Sequence, residues 1–263
     1  MVKKVFIIAL DGLEPSLVNP TMPNITQKYY GTTVVNVHPL QTPVLWGAFL
    51  TGTTDNGIKG MKRHNRLTET LSRILGYERV TKLMAKLKIQ TATRLYTKKD
   101  LTKPTIFDLV PKTIAISVPA YNEPEIYLEI RRETVEAIGD RYKTLALLLK
   151  VWKLFNIEYE ETLWKLKTDW NLFMVHFFVT DTIGHLYWNN PERIKKCYRL
   201  IDRKIKYLKE SVDDETLVLI VSDHGLKKGL HTPKGFWSTN IDLNLKNPKI
   251  TDFYNIIKKV VEK

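Results

Sequence analysis

Val5-Phe6-Ile7-Ile8-Ala9-Leu10-Asp11-Gly12 places six apolar residues without interruption before a carboxylate and a glycine. An unbroken apolar run of that length reads as a strand buried on both faces, as in the middle of a parallel sheet. Four further strand-like, mostly apolar runs recur along the chain: Thr33–Val37, Thr113–Val118, Leu172–Val179 and Leu217–Ser222. Stretches with helical spacing separate most of them: Met22–Tyr30, Val44–Leu50, Leu67–Lys88, Glu125–Leu166 with breaks expected near Gly139 and Asn156, Pro191–Lys209 and Asp252–Lys263. Strands alternating with helices predict an α/β fold, a mostly parallel central sheet covered by helices on both faces. No repeat or linker divides the chain, so residues 1–263 read as one domain. Residues 59–105 and 123–168 are the candidates for a small helical cap or insertion.

Composition narrows the function. With 43% hydrophobic and 10% aromatic residues among 263, the chain is neither disordered nor fibrous. A single cysteine, Cys197, excludes an internal disulfide framework and any Cys-rich metal site, so a bound metal must rest on Asp and His. The run Val5–Leu10 is too short for a secretory apolar segment, and Leu145–Phe155 is cut by Lys150 and Lys153. The expectation is a cytoplasmic protein with no membrane partner. The formal charge of +13 calls for an anionic partner. The lysines are scattered over Tyr77–Lys88, Ile194–Lys209 and Asp252–Lys263, as on solvated helix faces. A small phosphorylated substrate, with nucleotides among the candidates, is therefore expected ahead of nucleic acid. Oligomeric state is not legible.

In open parallel sheets ligands bind beyond the carboxyl ends of the strands, and polar residues concentrate there. The first run ends in Asp11. The second leads through His38-Pro39-Leu40-Gln41 to Thr42 at a helix start. The fourth ends in Thr180-Asp181, with His185 four residues on. The fifth ends in Asp223-His224-Gly225, and His231 follows. Taken singly, Asp11, Asp181 and Thr42 could be helix caps and each histidine a satisfied structural residue. Together they form a ligand inventory. Asp181 and His185 at i, i+4 share one helix face and can chelate one ion. Carboxylates and imidazoles without thiolate suit zinc, manganese or another divalent first-row metal. His38, His64 and His176 are expected not to be ligands, His176 because it lies inside a strand.

These segments resemble the alkaline phosphatase superfamily, in particular its type I phosphodiesterase/nucleotide pyrophosphatase branch. The matching stretches are Ile8-Ala9-Leu10-Asp11-Gly12, Thr42-Pro43-Val44-Leu45-Trp46 through Leu50-Thr51-Gly52 to Gly57-Ile58, Thr180 to His185, Ser222 to Gly225, and His231 with Gly235. The resemblance implies two divalent ions, zinc expected and manganese the alternative. Asp181, His185 and His231 would hold one, and Asp11, Asp223, His224 and the Thr42 oxygen the other. It also implies metal-dependent cleavage of phosphodiester or nucleotide pyrophosphate bonds, with Thr42 as nucleophile and a phospho-threonine intermediate.

The residue types agree with that chemistry. Two divalent ions about 3.5–4 Å apart stabilise both the attacking and the leaving oxygen of an in-line displacement. A threonine hydroxyl is too weak an acid to attack unaided, so a metal must activate it, and the helix beginning near Val44 is expected to aim its first amides at the phosphoryl oxygens. Three aspartates and one alkoxide balance two divalent ions, which leaves the surface charge free to attract a phosphate ester. Lys59, Lys62, Arg63, His64 and Asn65 follow Ile58 where the branch places an asparagine, and such cations would favour a monoester. Trp46, Trp188, Phe236 and Trp237 near the motifs would favour an apolar ester group, and the choice falls on the diester. The alternatives are a phosphomonoesterase of the same superfamily, and a basic nucleic-acid-binding protein without turnover. Thr42 speaks against a phosphomutase or a sulfatase.

Overall fold

The computed structural model describes residues 4–60, 70–86 and 94–262. Strands β1 (Lys4–Leu10), β2 (Tyr29–Val34), β3 (Thr113–Ile116), β4 (Leu172–Phe177), β5 (Thr216–Val221) and β8 (Lys234–Thr239) form one sheet in the order β2-β8-β5-β1-β4-β3. A separate two-stranded ribbon pairs β6 (Gly225–Lys227) with β7 (Leu230–Thr232). β1 pairs in parallel with both β4 and β5, and β3 runs parallel to β4. β8 lies antiparallel to β5, and β2 antiparallel to β8. The sheet is thus mostly parallel, with an antiparallel flank.

Alternation along the strands divides the core. Phe6, Ile8 and Leu10 of β1 join Phe173, Val175 and Phe177 of β4 and Val218 and Ile220 of β5 in one apolar cluster. Val5, Ile7 and Ala9 join Leu172, Met174, Leu217, Leu219 and Val221 in the other. Successive side chains point to opposite faces, so a run apolar at every position needs cover on both. The first face is covered by helices α4 (Ile126–Ala137), α5 (Arg141–Lys165), α6 (Val179–Leu186) and α7 (Pro191–Glu210). The second is covered by α2 (Thr42–Thr51) and α8 (Asp252–Val261). Two shorter or outlying helices are α1 (Pro23–Thr26) and α3 (Tyr77–Lys86).

Several boundaries differ from the sequence expectation. The helix expected over Met22–Tyr30 is one turn, because Tyr29 already pairs with Thr239 in the antiparallel edge. The strand expected over Thr33–Val37 therefore lies earlier, and β8, which the apolar-run criterion did not flag, supplies its partner. β4 stops at Phe177, and Val179 already starts α6. A break occurs at Gly139 (φ 78°) but none at Asn156, because Leu147, Val151, Phe155, Tyr159 and Thr162 keep one buried stripe through α5. The helix expected over Leu67–Lys88 is interrupted at Gly76 (φ 89°) within its described part. Among the described residues no helix is long and apolar enough to cross a membrane.

Candidate active site

The strand register assembles the site. Ala9 stands opposite His176 on one side and Val221 on the other, so Asp11 and Asp223, each two residues further on, emerge at one edge beside the face that carries α2. The third carboxylate arrives on α6, which starts two residues after β4, so Asp181 lies in its first turn and His185 one turn on. Gly12 makes this close approach possible: its φ is 62°, and a Cβ there would meet Asp181 Oδ1 at 2.8 Å. Only glycine adopts that backbone readily and leaves the room.

Three imidazoles converge on one carboxylate oxygen. Asp181 Oδ1 lies 3.3 Å from His185 Nε2, 3.5 Å from His231 Nε2 and 3.9 Å from His224 Nε2. Each ring has its other nitrogen engaged with oxygen: His231 Nδ1 with the Leu40 carbonyl at 2.9 Å, His224 Nδ1 with the Gly225 carbonyl at 3.0 Å, His185 Nδ1 with the Tyr77 hydroxyl at 2.8 Å. A carbonyl can only accept, so Nδ1 of His231 and His224 carries the proton and Nε2 of the neutral ring presents a lone pair. That is the tautomer a metal requires, fixed in the way metal-binding histidines usually are. His185 Nε2 and His231 Nε2 also face each other at 3.0 Å, where repulsion between lone pairs calls for a cation or a shared proton.

The ligand atoms form two groups that share Asp181: Asp181 with His185 and His231, and Asp11 with Asp181 and His224, each within 4.8 Å. Asp223 Oδ2 adjoins the second at 3.6 Å from His224 Nε2, while Asp223 Oδ1 accepts the Gly12 amide at 3.2 Å. Asp181 Oδ1, Asp223 Oδ2 and His224 Nε2 are buried without a hydrogen-bond partner. Such atoms are costly unless something charged answers them, so these residues fit divalent cations. Their ionisation diverges in the way crowded carboxylates do. Burial pushes Asp223 far above the usual range, helped by neighbouring Asp11. Burial acts upward on Asp181 too, but His185 and His231 outweigh it and hold that carboxyl well below. His176 and His224 do the same for Asp11.

Thr42 opens α2 and is buried, with Oγ1 3.4 Å from Asp11 Oδ1. The helix start differs from expectation: Pro43 has no N–H, and the amides of Val44 and Leu45 both donate to the Gln41 carbonyl. Those first-turn amides are engaged within the helix. Gly60 passes against the same turn, where a Cβ would lie 2.6 Å from Gln41 Oε1. Lys59 is exposed, and Lys62, Arg63, His64 and Asn65 lie outside the described residues.

The aromatic expectation is mostly overturned. Trp46, Phe236 and Trp237 are buried core residues, because their strand and helix positions face the sheet. Trp188 does stand at the site, edge-on to Tyr77, whose ring stacks at 6.0 Å on His185. Tyr77 carried no motif signal; it arrives on α3 from a distant segment, and Gly229 of the β6–β7 turn (φ 79°) lies so close that a Cβ would meet its ring. Two other supports were missed. Fully buried His176 donates through Nε2 to Asp11 Oδ2 across 3.2 Å, so its place inside a strand puts it behind a candidate ligand. Glu14 accepts the Leu226 amide at 2.9 Å and ties the loop after β1 to the ribbon carrying His231. His38 is exposed and outside the cluster.

Two solved structures share this fold at TM-scores above 0.5, and a third is similar at a lower score. The chain is similar to the PH0037 protein of Pyrococcus horikoshii, with 13% identity over 100% of this chain and 98% of that one and a TM-score of 0.53. Alkaline phosphatase of the Antarctic bacterium TAB5 gives 14% identity, 99% and 98% coverage and a TM-score of 0.54. Murine ectonucleotide pyrophosphatase/phosphodiesterase 5 gives 14% identity over 84% of this chain and 57% of that one, with a TM-score of 0.46. No curated protein matches the sequence. The type I phosphodiesterase / nucleotide pyrophosphatase family model matches residues 5–246, nearly the whole sheet and every candidate ligand. The chain belongs to the type I phosphodiesterase / nucleotide pyrophosphatase family and is a phosphoester hydrolase of that class.

Proposed function

We propose that the enzyme cleaves phosphodiester bonds, nucleotidyl esters among them, through a phospho-threonine formed on Thr42. The observation that carries this reading is the convergence of three imidazole Nε2 atoms and three carboxylates beside a buried helix-start hydroxyl. Asp181, His185 and His231 would hold one divalent cation, and Asp11, Asp223, His224 and Thr42 Oγ1 the other, with Asp181 between them. Zinc suits the N/O donor set best. Bound cations would supply the positive charge that makes the hydroxyl acidic and neutralises the phosphoryl oxygens. Asp11 Oδ1 positions the Thr42 hydroxyl. The Thr42 hydroxyl releases its proton to solvent, Oγ1 bonds to phosphorus as the bond to the leaving oxygen breaks, and the departing group takes up a proton from solvent. Water then attacks phosphorus and breaks the Oγ1–P bond, which restores the hydroxyl and releases the product.

The diester is favoured because Tyr77 and Trp188 stand beside His185 and offer an aromatic wall to the second ester group. Metal analysis of the purified protein, together with kcat/KM for an aryl phosphate and its methyl or nucleotidyl diester, tests both parts. About two ions per chain and a preference for the diester are expected. A monoester preference of about tenfold, or about 1.4 kcal/mol, overturns the choice of substrate, and a metal-free active enzyme overturns the site.

A further inference from the structure

Helix α5 packs one face on the core and carries large apolar side chains on the other as well. Leu147, Val151, Phe155 and Tyr159 are buried against the sheet. On the outer side Tyr142 is 86% exposed, Leu145 58%, Leu149 67%, Ile157 54% and Trp164 65%. At about 100° per residue these five fall on one side of the helix. Exposed Lys153, Asn156 and Glu160 are interspersed on the same side, so the outer face is amphipathic, and this many large apolar side chains left in solvent on one helix side mark an interaction surface.

Its neighbour supplies the complementary half. α7 carries eight Lys and Arg against three acidic residues, and one of those, Asp202, is buried and spent on the amides of Asn24 and Ile25. Arg193, Lys196, Arg203 and Lys206 are exposed, together with Leu200 and Tyr207. The seam between α5 and α7 is a groove of about 520 Å³ where Lys167 and Lys204 meet Tyr159 and Tyr207, with Glu160 and Glu210 also on its rim. Lys204 sits 4.3 Å above the Tyr159 ring.

We propose that this α5–α7 face docks on an anionic lipid surface, the exposed apolar side chains of α5 entering the headgroup boundary and Lys153 of α5 with the cations of α7 resting on the lipid phosphates. Trp, Tyr and Leu beside a row of Lys and Arg is the composition that lies in a membrane interface without spanning it. A second copy of the chain is the rival occupant. The formal charge of +13 weighs against it, because pairing α5 with α5 brings two cationic α7 rows together, whereas anionic lipid is attracted by the same charge.

Co-sedimentation with vesicles tests the inference. Wild-type protein is expected to bind equimolar phosphatidylcholine/phosphatidylglycerol vesicles at about 0.05 M salt, to bind pure phosphatidylcholine far more weakly, and to be released at about 0.5 M salt. The surface variants Leu149→Glu/Trp164→Glu and Lys196→Glu/Arg203→Glu should each weaken binding at least about tenfold, with far-UV circular dichroism and bound-metal content unchanged. Wild-type protein left in the supernatant at low salt overturns the proposal, and so does undiminished binding by both correctly folded variants. A dimer in light scattering that Leu149→Glu/Trp164→Glu converts to monomer assigns the face to a second copy and overturns it as well. None of these readouts depends on hydrolysis, so the docking face and the proposed reaction fail separately.

Discussion

The two halves of the ligand cluster are built differently. Asp11, Asp223 and His224 are fully buried and emerge from neighbouring parallel strands, where hydrogen-bonded register sets their spacing. Asp181, His185 and His231 come from a helix and a two-stranded ribbon, and the side chains of His185 and His231 keep 17% and 22% of their surface exposed. The deep half is backed by His176 at Asp11, itself flanked by Trp46 and Tyr127. The shallow half is braced by three pieces of distant chain: Tyr77, the Leu40 carbonyl and Glu14 through Leu226. A sheet positions ligands through its backbone ladder, whereas a ribbon and a helix need outside braces. The deep half should therefore tolerate loss of a supporting side chain better.

The largest expected effect concerns the nucleophile beside the deep half. Thr42→Ala should lower turnover of an aryl diester at least about a thousandfold while circular dichroism stays near wild type and at least one metal site is kept, and Thr42→Ser should recover a measurable part. Wild-type rates in Thr42→Ala would assign the attack to water and end the covalent scheme.

Stability should register the polar wall behind the deep half. Burial pushes Glu158 up to about 7, against opposing hydrogen bonds from Ser117 and Tyr127. The unfolded chain ionises near 4.5 while the folded protein still holds the proton, so folding stability should fall by about 3 kcal/mol as pH rises from about 4.5 to about 7. Glu158→Gln should reduce that slope by about this amount, leaving the part carried by buried Asp223, as read from urea unfolding at pH 5 and pH 8. A wild-type slope kept in the variant would remove Glu158 as its cause.

Bracing can be compared directly through Tyr77→Phe and His176→Phe. Removing one outer partner of a metal ligand costs about 10–100-fold in metal affinity. Tyr77→Phe should lie at the upper end and deplete one ion, and His176→Phe at the lower end, as read by competition with a chromophoric chelator. The reverse order would break the comparison.

The smallest effect expected is at Glu14, where Glu14→Gln weakens a charge-assisted hydrogen bond to the Leu226 amide. About 1–2 kcal/mol of stability should go, seen as a lower melting temperature. An unchanged melting temperature would show that the ribbon carrying His231 holds itself.

The amino-acid sequence by itself determined the core of the sheet and the donor inventory. Val5–Leu10 and Leu217–Val221 are apolar at every position and Leu172–Phe177 at every position but His176, a pattern stable only between two helix layers, and that reading needs no knowledge of distant partners. It also confined any metal to Asp and His and placed Asp11, Asp181 and Asp223 near strand ends. Antiparallel β8 was not legible, because Lys234–Thr239 is partly polar and becomes a strand only through pairing with β2 and β5. Tertiary structure alone decided which ring nitrogen His231 presents, since its acceptor is the Leu40 carbonyl, 191 residues away in the chain. It alone brought Tyr77 onto His185, set Trp46 and Trp237 in the core, and left one face of α5 uncovered. Burial along a strand is a local property of alternation, while the aim of a hydrogen bond or the cover over a helix belongs to segments far apart in the chain.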